Sequence, residues 1–213
     1  MYQKIKNNKL LVLISLLLLT VIAIITRKIA LKEELIMDKL AYNILVTKLR
    51  NPGLNTFMKL ATKLSNTTFI ISLSIILILA FYFVVKKKRV SELILGNLLF
   101  IVLLNQILKF MIRRDRPTGF RLIEMSGYSF PSGHAMVSMA FYGLLIYIIK
   151  HFIKNKKIKI SLIALNVIII ILIGVSRVYL GVHYLSDVVT GYSISLIYLL
   201  VLTKFLNKYH VIT

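Results

Sequence analysis

Residues 160–203 have the sequence ISLIALNVIIIILIGV SRVYLGVHYLSD VVTGYSISLIYLLVLT. The first and last of these blocks are apolar runs of 16 residues each, and the middle block of 12 carries Arg177, His183 and Asp187. Two apolar runs joined by so short a connection predict two helices that cross a lipid bilayer in opposite directions. Ionisable residues at such a depth are costly, so the connecting block is a candidate functional site.

The rest of the chain repeats this organisation. Of the 213 residues, 58% are apolar, which is too large a share for a soluble domain to cover with polar surface. Apolar runs of 15 to 18 residues lie at 10–26, 68–85, 93–108, 135–149, 160–175 and 188–203. The last four reach the ~20 residues of a full span when the adjoining polar residues are added. We therefore predict an all-α integral membrane bundle of six transmembrane helices, with residues 1–213 forming one domain.

The segment between the first two runs has a mixed pattern. Residues 27–66 combine charges with spaced apolar residues, and Asn51-Pro52-Gly53 interrupts them. This pattern predicts one or two amphipathic helices on the membrane surface, in preference to a disordered loop. The first run follows three lysines, as a signal peptide does, but no small-residue cleavage site comes after it. We therefore expect an uncleaved first span.

The charge distribution indicates a membrane partner and an orientation. The net charge of +21 does not indicate nucleic acid, because Lys and Arg lie between apolar runs, where they contact anionic lipid headgroups. The short loops 86–89 and 150–159 contain no acid, and short basic loops stay in the cytoplasm. We expect a multi-pass cell-membrane protein with both termini cytoplasmic. The absence of cysteine excludes disulfides, thiolate metal sites and cysteine nucleophiles.

Polar residues at the ends of the last four spans form one predicted cluster. The spans alternate in direction across the membrane. One side of the membrane therefore holds four span ends: the end of the third, the start of the fourth, the end of the fifth and the start of the sixth. The cluster consists of Lys109, Arg116, Pro117, Pro131, Ser132, Gly133, His134, Ser176, Arg177, His183 and Asp187. It lies opposite the two basic loops, so it should face the extracellular or periplasmic side.

The cationic members of this cluster suit the binding of a phosphate group. Lys109, Arg116 and Arg177 supply charged donors, and the guanidinium fork matches phosphate oxygens. Ser132 and Gly133 stand at the predicted start of a helix, where free N–H groups bind anions.

The histidines suit catalysis. His183 and Asp187 are spaced four residues apart, which would place them on one helical face. The carboxylate can then hold one ring nitrogen and leave the other as a nucleophile. His134 is available as a general acid toward a leaving oxygen.

Other interpretations of the same residues remain open. A His–Asp pair can be half of a metal site, but no further clustered ligand completes one here, so we expect neither a metal nor a cofactor. The charged cluster would also fit a transporter or channel for an anionic solute, with His183 and Asp187 as a proton relay. Four neighbouring loop charges are expected to be solvated: Arg113, Arg114, Asp115 and Arg121.

The cluster resembles a known family signature. The strings Lys109-x6-Arg116-Pro117, Pro131-Ser132-Gly133-His134 and Ser176-Arg177-x5-His183-x3-Asp187 resemble the three motifs of the type 2 phosphatidic acid phosphatase superfamily at all eleven specified positions. The motif region covers 109–187, and six spans are also typical of the family. The size of the chain is similar to that of the bacterial phosphatidylglycerophosphate phosphatase B group, which includes enzymes acting on undecaprenyl pyrophosphate.

The resemblance implies a metal-independent, two-step phosphoryl transfer. His183 would attack phosphorus and form a phosphohistidine, Asp187 would orient it, and His134 would protonate the leaving group. Phosphate oxygens would be bound by Lys109, Arg116, Ser132, Gly133 and Arg177, with Pro117, Pro131 and Ser176 in support. The expected substrate is a membrane lipid phosphate or pyrophosphate: undecaprenyl pyrophosphate, phosphatidylglycerophosphate or phosphatidic acid. We expect the loop 111–133 and the segment 27–66 to shape access of the lipid.

Overall fold

The computed structural model describes residues 2–210, with side chains from Lys9 onward. These residues form eight helices and no strand. The helices are α1 (Tyr2–Ala30), α2 (Ile36–Ala41), α3 (Pro52–Lys63), α4 (Thr67–Leu79), α5 (Lys88–Ile112), α6 (Gly133–Phe152), α7 (Lys156–Tyr179) and α8 (Leu185–Lys208). π-Helical turns extend α2 through Tyr42–Lys48 and α4 through Ala80–Val84.

Six of the described helices are long and apolar enough to cross a membrane: α1, α4 with its π-helical extension, and α5 to α8, with spans of 18 to 25 residues. The predicted all-α, six-span fold is therefore confirmed. The last four spans extend beyond their apolar runs at both ends, so that Lys109, His134 and Arg177 lie within helices. The predicted position of the two termini concerns in part residues 1 and 211–213, which lie outside the described residues.

Helix α6 is the centre of the bundle. Half of its span is buried, against 6% of the span in α1, and it packs against α5, α7 and α8. Small residues permit these close contacts, as is usual between helices in a membrane. A Cβ atom at Gly191 of α8 would lie 3.0 Å from the carbonyl oxygen of Ser132. The start of α6 therefore lies directly against α8.

Local backbone signals place three helix ends on the same side of the bundle. Helix α5 ends where Arg113 adopts a left-handed conformation with φ of 50°. Helix α6 begins at its cap Ser132, whose Oγ accepts a hydrogen bond from the N–H of Ala135 at 3.5 Å. The turn from α7 to α8 contains Gly181 with φ of 77°, a conformation that glycine adopts without steric cost.

The segment from α2 to α3 covers this side of the bundle. Some of its apolar side chains point outward, with Ile36 exposed by 77% and Leu40 by 57%, whereas Asp38, Val46 and Met58 are buried. Arg50 fixes the segment to the end of α7 by donating to the carbonyl oxygen of Tyr179 from Nε at 3.1 Å and Nη2 at 2.7 Å. The alternative of a disordered loop is therefore wrong. Two short helices form, and their outward apolar face is the one expected to contact lipid.

Candidate active site

His183 lies at the centre of the predicted cluster, buried in the turn that joins α7 to α8. The expectation that His183 and Asp187 share a helical face is wrong, because α8 begins only at Leu185, with Tyr184 as its cap. Their spacing still brings them together, since Asp187 stands in the first turn of α8. Its Oδ2 lies 3.4 Å from Nδ1 of His183.

The surroundings of His183 define which ring nitrogen carries the proton. Nε2 lies 3.2 Å from Nη1 of Arg116, and a guanidinium group can only donate, so Nε2 is the acceptor. The proton is then on Nδ1, which faces Asp187 and the hydroxyl of Ser129 at 3.3 Å. Burial lowers the pKa of His183 to about 4 despite the opposing effect of Asp187, so the ring is neutral. A neutral ring with an unprotonated Nε2 keeps the lone pair that a nucleophile requires.

Asp187 is fully buried, and both of its oxygens are occupied. Oδ2 accepts from the hydroxyl of Ser129 at 2.5 Å and from the N–H of Tyr184 at 2.9 Å, while Oδ1 accepts from Nη1 of Arg114 at 2.6 Å. A buried carboxylate requires such a cation and such donors. The expectation that Arg114 is a solvated loop charge is therefore wrong, since its side chain is only 15% exposed.

Arg116 reaches the same turn from the loop between α5 and α6. Besides contacting His183, it donates to four carbonyl oxygens, those of Ser126, Gly127, Tyr128 and Val182, at 2.8 to 3.2 Å. Burial lowers the pKa of Arg116 from its ordinary value. These bonds hold the loop against the turn that carries His183. Arg116 therefore links the two segments of the site and also supplies positive charge.

Arg177, in the last turn of α7, is 1% exposed and keeps part of its guanidinium group unused. Nη1 donates to the hydroxyl of Thr62 at 2.6 Å, but Nε and Nη2 have no hydrogen-bond partner among the described residues. Buried donors are almost always paired, so two unpaired ones require an explanation. Nε and Nη2 form one edge of the fork, which matches two oxygens of a phosphate group. After burial, the positive charge of Arg177 also contributes to the lowered pKa of His183.

Lys109 and the start of α6 form another part of the site. Nζ of Lys109 donates to the carbonyl oxygen of Tyr128 at 2.9 Å, an oxygen that Arg116 also contacts. The N–H of Ser132 donates to the backbone oxygen of Asp187 at 3.1 Å, which fixes α6 to α8. A Cβ atom at Gly133 would lie 2.9 Å from Oδ1 of Asn105, so a larger residue would not fit there unless Asn105 moved.

His134, on the first turn of α6, is half-buried and held by the segment that precedes α4. Its Nε2 lies 3.1 Å from Oδ1 of Asn66, and its carbonyl oxygen accepts from the hydroxyl of Ser65 at 3.1 Å. An amide oxygen only accepts, so Nε2 carries a proton. Asn66 thus orients the ring proposed as general acid.

The three supporting residues shape the backbone of the site. The carbonyl oxygen of Pro117 accepts both Nε and Nη2 of Arg121, at 2.8 and 2.6 Å, so the expectation that Arg121 is solvated is wrong. Pro131 follows a cis peptide bond, and its carbonyl oxygen accepts from Nδ2 of Asn105 at 3.2 Å. The hydroxyl of Ser176 bonds to Ile173 of its own helix at 2.6 Å. By contrast, Arg113 and Asp115 are exposed, as expected.

Sequence reasoning missed several residues that contact the motif side chains. They are Asp38, Thr62, Ser65, Asn66 and Ser129. All but Ser129 belong to the segment 27–66, for which the sequence predicts only a part in lipid access. One signal was available for Asp38: the chain has only seven acidic residues, and this one stands between the buried Leu35 and Ala41.

The side chains around His183 suit an anion. Where side chains are described, no three of the residues His, Cys, Asp and Glu gather in a way that could hold a metal ion. The motif residues instead supply three charged donors, Lys109, Arg116 and Arg177, while Arg114 pairs with Asp187. With a neutral imidazole, a second histidine and a helix start, they can bind a phosphate group and transfer it.

Comparisons with known proteins agree with this geometry. The PAP2 superfamily profile matches residues 90–210, which contain the three motifs. Phosphatidylglycerophosphatase B of Bacillus subtilis (strain 168) is 35% identical over 168 residues, which are 75% of this chain and 79% of that protein. The crystal structure of a transmembrane PAP2 type phosphatidylglycerolphosphate phosphatase from Bacillus subtilis superimposes with a TM-score of 0.80 at 32% identity, covering 92% of this chain and 96% of that one.

A more distant structure shares the fold. Aquifex aeolicus LpxE superimposes with a TM-score of 0.61 at 24% identity, covering 81% of this chain and 99% of that one. The relatives favour the phosphatase over the alternative of an anion transporter. The chain belongs to the PAP2 superfamily, as its motifs implied, and is a multi-pass membrane lipid phosphatase.

Proposed function

We propose that the chain hydrolyses a lipid phosphate or lipid pyrophosphate in two steps through His183. Nε2 attacks phosphorus, the bond from phosphorus to the lipid-side oxygen breaks, and protonated His134 gives its proton to that oxygen. Water then attacks the phosphohistidine, and the neutral His134 takes the proton of the water. Inorganic phosphate leaves, and both histidines return to their starting forms.

The unpaired edge of Arg177, in the last turn of α7 just before the turn that carries His183, is the observation that carries this proposal. Nε and Nη2 of Arg177 are buried donors without partners among the described residues. Nε2 of His183 accepts a hydrogen bond from Nη1 of Arg116 at 3.2 Å. A phosphate group placed on the Arg177 edge would satisfy the donors and present phosphorus to the nucleophile.

Trapping the intermediate tests the mechanism. A labelled lipid pyrophosphate, which has a good leaving group, should give an acid-labile, alkali-stable phosphoenzyme in the wild type. The His134→Gln variant should still form it, because a good leaving group needs little protonation, whereas His183→Gln should not. Labelling of His183→Gln to the wild-type level would overturn the proposed nucleophile.

We further propose that the reaction does not need a divalent metal ion, because Lys109, Arg116 and Arg177 provide the positive charge that stabilises the transferring phosphoryl group. Phosphate release should then survive excess EDTA, and vanadate should inhibit as a mimic of five-coordinate phosphorus. Loss of activity on chelation that Mg²⁺ restores would contradict this part of the proposal.

The substrate is proposed to be phosphatidylglycerophosphate, undecaprenyl pyrophosphate or phosphatidic acid. The name of the Bacillus subtilis relative supports the first. The lipid would reach the site between the segment α2–α3 and the loop between α5 and α6. Phosphate release by purified protein from each of the three lipids, presented in identical micelles, decides between them by the ratio of kcat/KM.

We propose that the site faces the extracellular or periplasmic side, with the basic loops in the cytoplasm. The chain has no cysteine, so single cysteines can be introduced without background. Ser126→Cys, at an exposed position of the loop on the site side, should react with an impermeant maleimide in intact cells. Lys87→Cys and Lys156→Cys should react only after lysis. The reverse pattern would place the chemistry in the cytoplasm.

A further inference from the structure

Asp38 is a buried carboxylate on a short helix that also carries exposed apolar residues. It lies on α2 and is only 7% exposed, while Ile36 and Leu40 on the same helix face outward. Asp38 belongs to none of the three motifs. A carboxylate withdrawn from solvent in this way needs partners within the protein, and those partners connect it to the catalytic cluster.

The first partner of Asp38 is the start of α8. Oδ1 accepts from the N–H of Ser186 at 2.8 Å, and Oδ2 accepts from the hydroxyl of Ser186 at 2.7 Å. A carboxylate at a helix start satisfies free N–H groups and is favoured by the helix dipole. Asp38 thus caps α8 from a distant part of the chain. It does so at Ser186, the residue directly before Asp187.

The second partner is Arg114, which bridges two carboxylates. Its Nη2 donates to Oδ2 of Asp38 at 2.9 Å, and its Nη1 donates to Oδ1 of Asp187 at 2.6 Å. Because the guanidinium group is planar and rigid, the two carboxylates are held at a fixed mutual orientation. The other oxygen of Asp187 faces Nδ1 of His183. The bridge therefore limits rotation of the carboxylate that orients the nucleophile.

We propose that Asp38 and Arg114 form a positioning pair for phosphoryl transfer, through which the surface helix α2 holds Asp187 and, through it, His183. The inference rests on the proposed role of His183. Under this proposal α2 positions the side chains of the catalytic site, in addition to its expected contact with lipid.

A second attachment of the same segment offers a contrast. The hydroxyl of Tyr179 donates to Oδ1 of Asn55 at 2.7 Å, which fixes α3 to the end of α7 without contacting a motif side chain. If Asp38 only anchored the segment, loss of Asp38 and loss of Asn55 would change stability and turnover in the same way. A positioning role instead predicts that loss of Asp38 lowers turnover in protein that remains folded.

The test compares Asp38→Asn with two controls, Glu34→Gln and Asn55→Ala. Glu34→Gln removes the same charge from an exposed residue whose ion-pair partner, Lys39, is also exposed. Asn55→Ala loosens the segment away from the site. Hydrolysis of phosphatidylglycerophosphate in detergent micelles gives kcat and KM, and thermal unfolding with size-exclusion chromatography gives the folded fraction. We expect kcat per folded Asp38→Asn enzyme to fall about 10- to 100-fold with KM little changed, and both controls to keep the wild-type kcat.

The bridge is tested from its other end by Arg114→Lys, with Arg113→Lys as the matched control. Lysine keeps the charge but cannot bridge two carboxylates, and it leaves the bonds between Asp38 and Ser186 in place. Arg113 is exposed, and its Nε bonds to Phe110 of its own helix at 2.9 Å. We expect Arg114→Lys to lower kcat and Arg113→Lys to leave it unchanged. The double variant with Asp38→Asn should lose little more than the worse single variant, because groups that act as one unit are not additive.

Several outcomes would overturn the inference. Wild-type kcat in folded Asp38→Asn, a change confined to KM, or multiplied losses in the double variant would each show that the two residues do not act as a pair. If Asp38→Asn fails to fold, Arg114→Lys decides alone, and an unchanged kcat rejects the proposal. Full activity of His183→Gln would instead reject the proposed function, which keeps the two failures distinct.

Discussion

Two regions of this molecule build one site in different ways. The motif region 109–187 supplies side chains from the ends of α5 to α8, and these are the groups proposed to contact phosphate. The segment 27–66 supplies Thr62, Ser65 and Asn66, which contact those motif residues, and Asp38, which reaches Asp187 through Arg114. The difference shows that a surface segment without any recognisable motif can supply contacts to the residues proposed for catalysis. Substitutions in this segment should therefore lower activity less than substitutions in the motif region.

The largest expected effect is that of His183→Gln. Glutamine cannot form the phosphorylated intermediate, so kcat for lipid phosphate hydrolysis should fall by about 10⁴-fold or more. His151→Gln is the matched control, because His151 is exposed at the far end of α6. Activity of folded His183→Gln within tenfold of the wild type would show that the motif region does not supply the nucleophile.

Arg177→Lys should have the next largest effect. Lysine keeps the charge but has no two-donor edge, and loss of one preorganised donor costs about 10²- to 10³-fold in rate. We expect kcat/KM to fall by about 10²-fold and vanadate inhibition to weaken in parallel. Arg89→Lys, exposed on the opposite side of the bundle, serves as the control. Unchanged vanadate inhibition would mean that the unpaired donors of Arg177 do not bind the phosphate group.

Thr62→Val tests the segment side with a smaller effect. It removes the hydroxyl that accepts Nη1 of Arg177 at 2.6 Å and keeps the shape of the side chain. Thr62 acts on the phosphate only through Arg177, so we expect the lower end of the ~1.5–3 kcal/mol of a hydrogen bond to a charged group, a loss of about tenfold in kcat/KM. Thr56→Val is the control, because the hydroxyl of Thr56 bonds only within α3. A loss as large as that of Arg177→Lys would erase the distinction between the two regions.

The smallest expected effect is the response of kcat/KM to pH. Burial lowers the pKa of His183 to about 4, below the ordinary value of 6.5, so Nε2 keeps its lone pair at every pH well above 4. As pH falls from 8 to 5, protonation of His183 should therefore cost no activity, and kcat/KM should decline only as pH approaches about 4. Size-exclusion chromatography at each pH would verify that the protein stays folded. An acid limb near pH 6.5 that belongs to His183 would show a solvated imidazole instead of a buried one.

The sequence by itself determined what depends on short separations along the chain. Apolar runs specified six spans, because a helix is the structure in which a single segment satisfies its own backbone in lipid. Alternation of the spans placed Lys109, His134, Arg177 and His183 on one side. The spacing of His183 and Asp187 brought them together, although through a turn and a helix cap instead of a helical face.

Only the tertiary structure decided which of the remaining charges belong to the site. Arg113 and Arg114 are neighbours of the same chemical type, yet the left-handed backbone at Arg113 ends α5, leaving that side chain exposed, whereas Arg114 binds Asp187. Asp38 reaches Ser186 across 148 residues, a separation at which no periodic pattern specifies contact. Motif spacing is local and can be recognised in a sequence. The partners that hold the motif residues in place come from distant segments, and the folded bundle alone determines which of them meet.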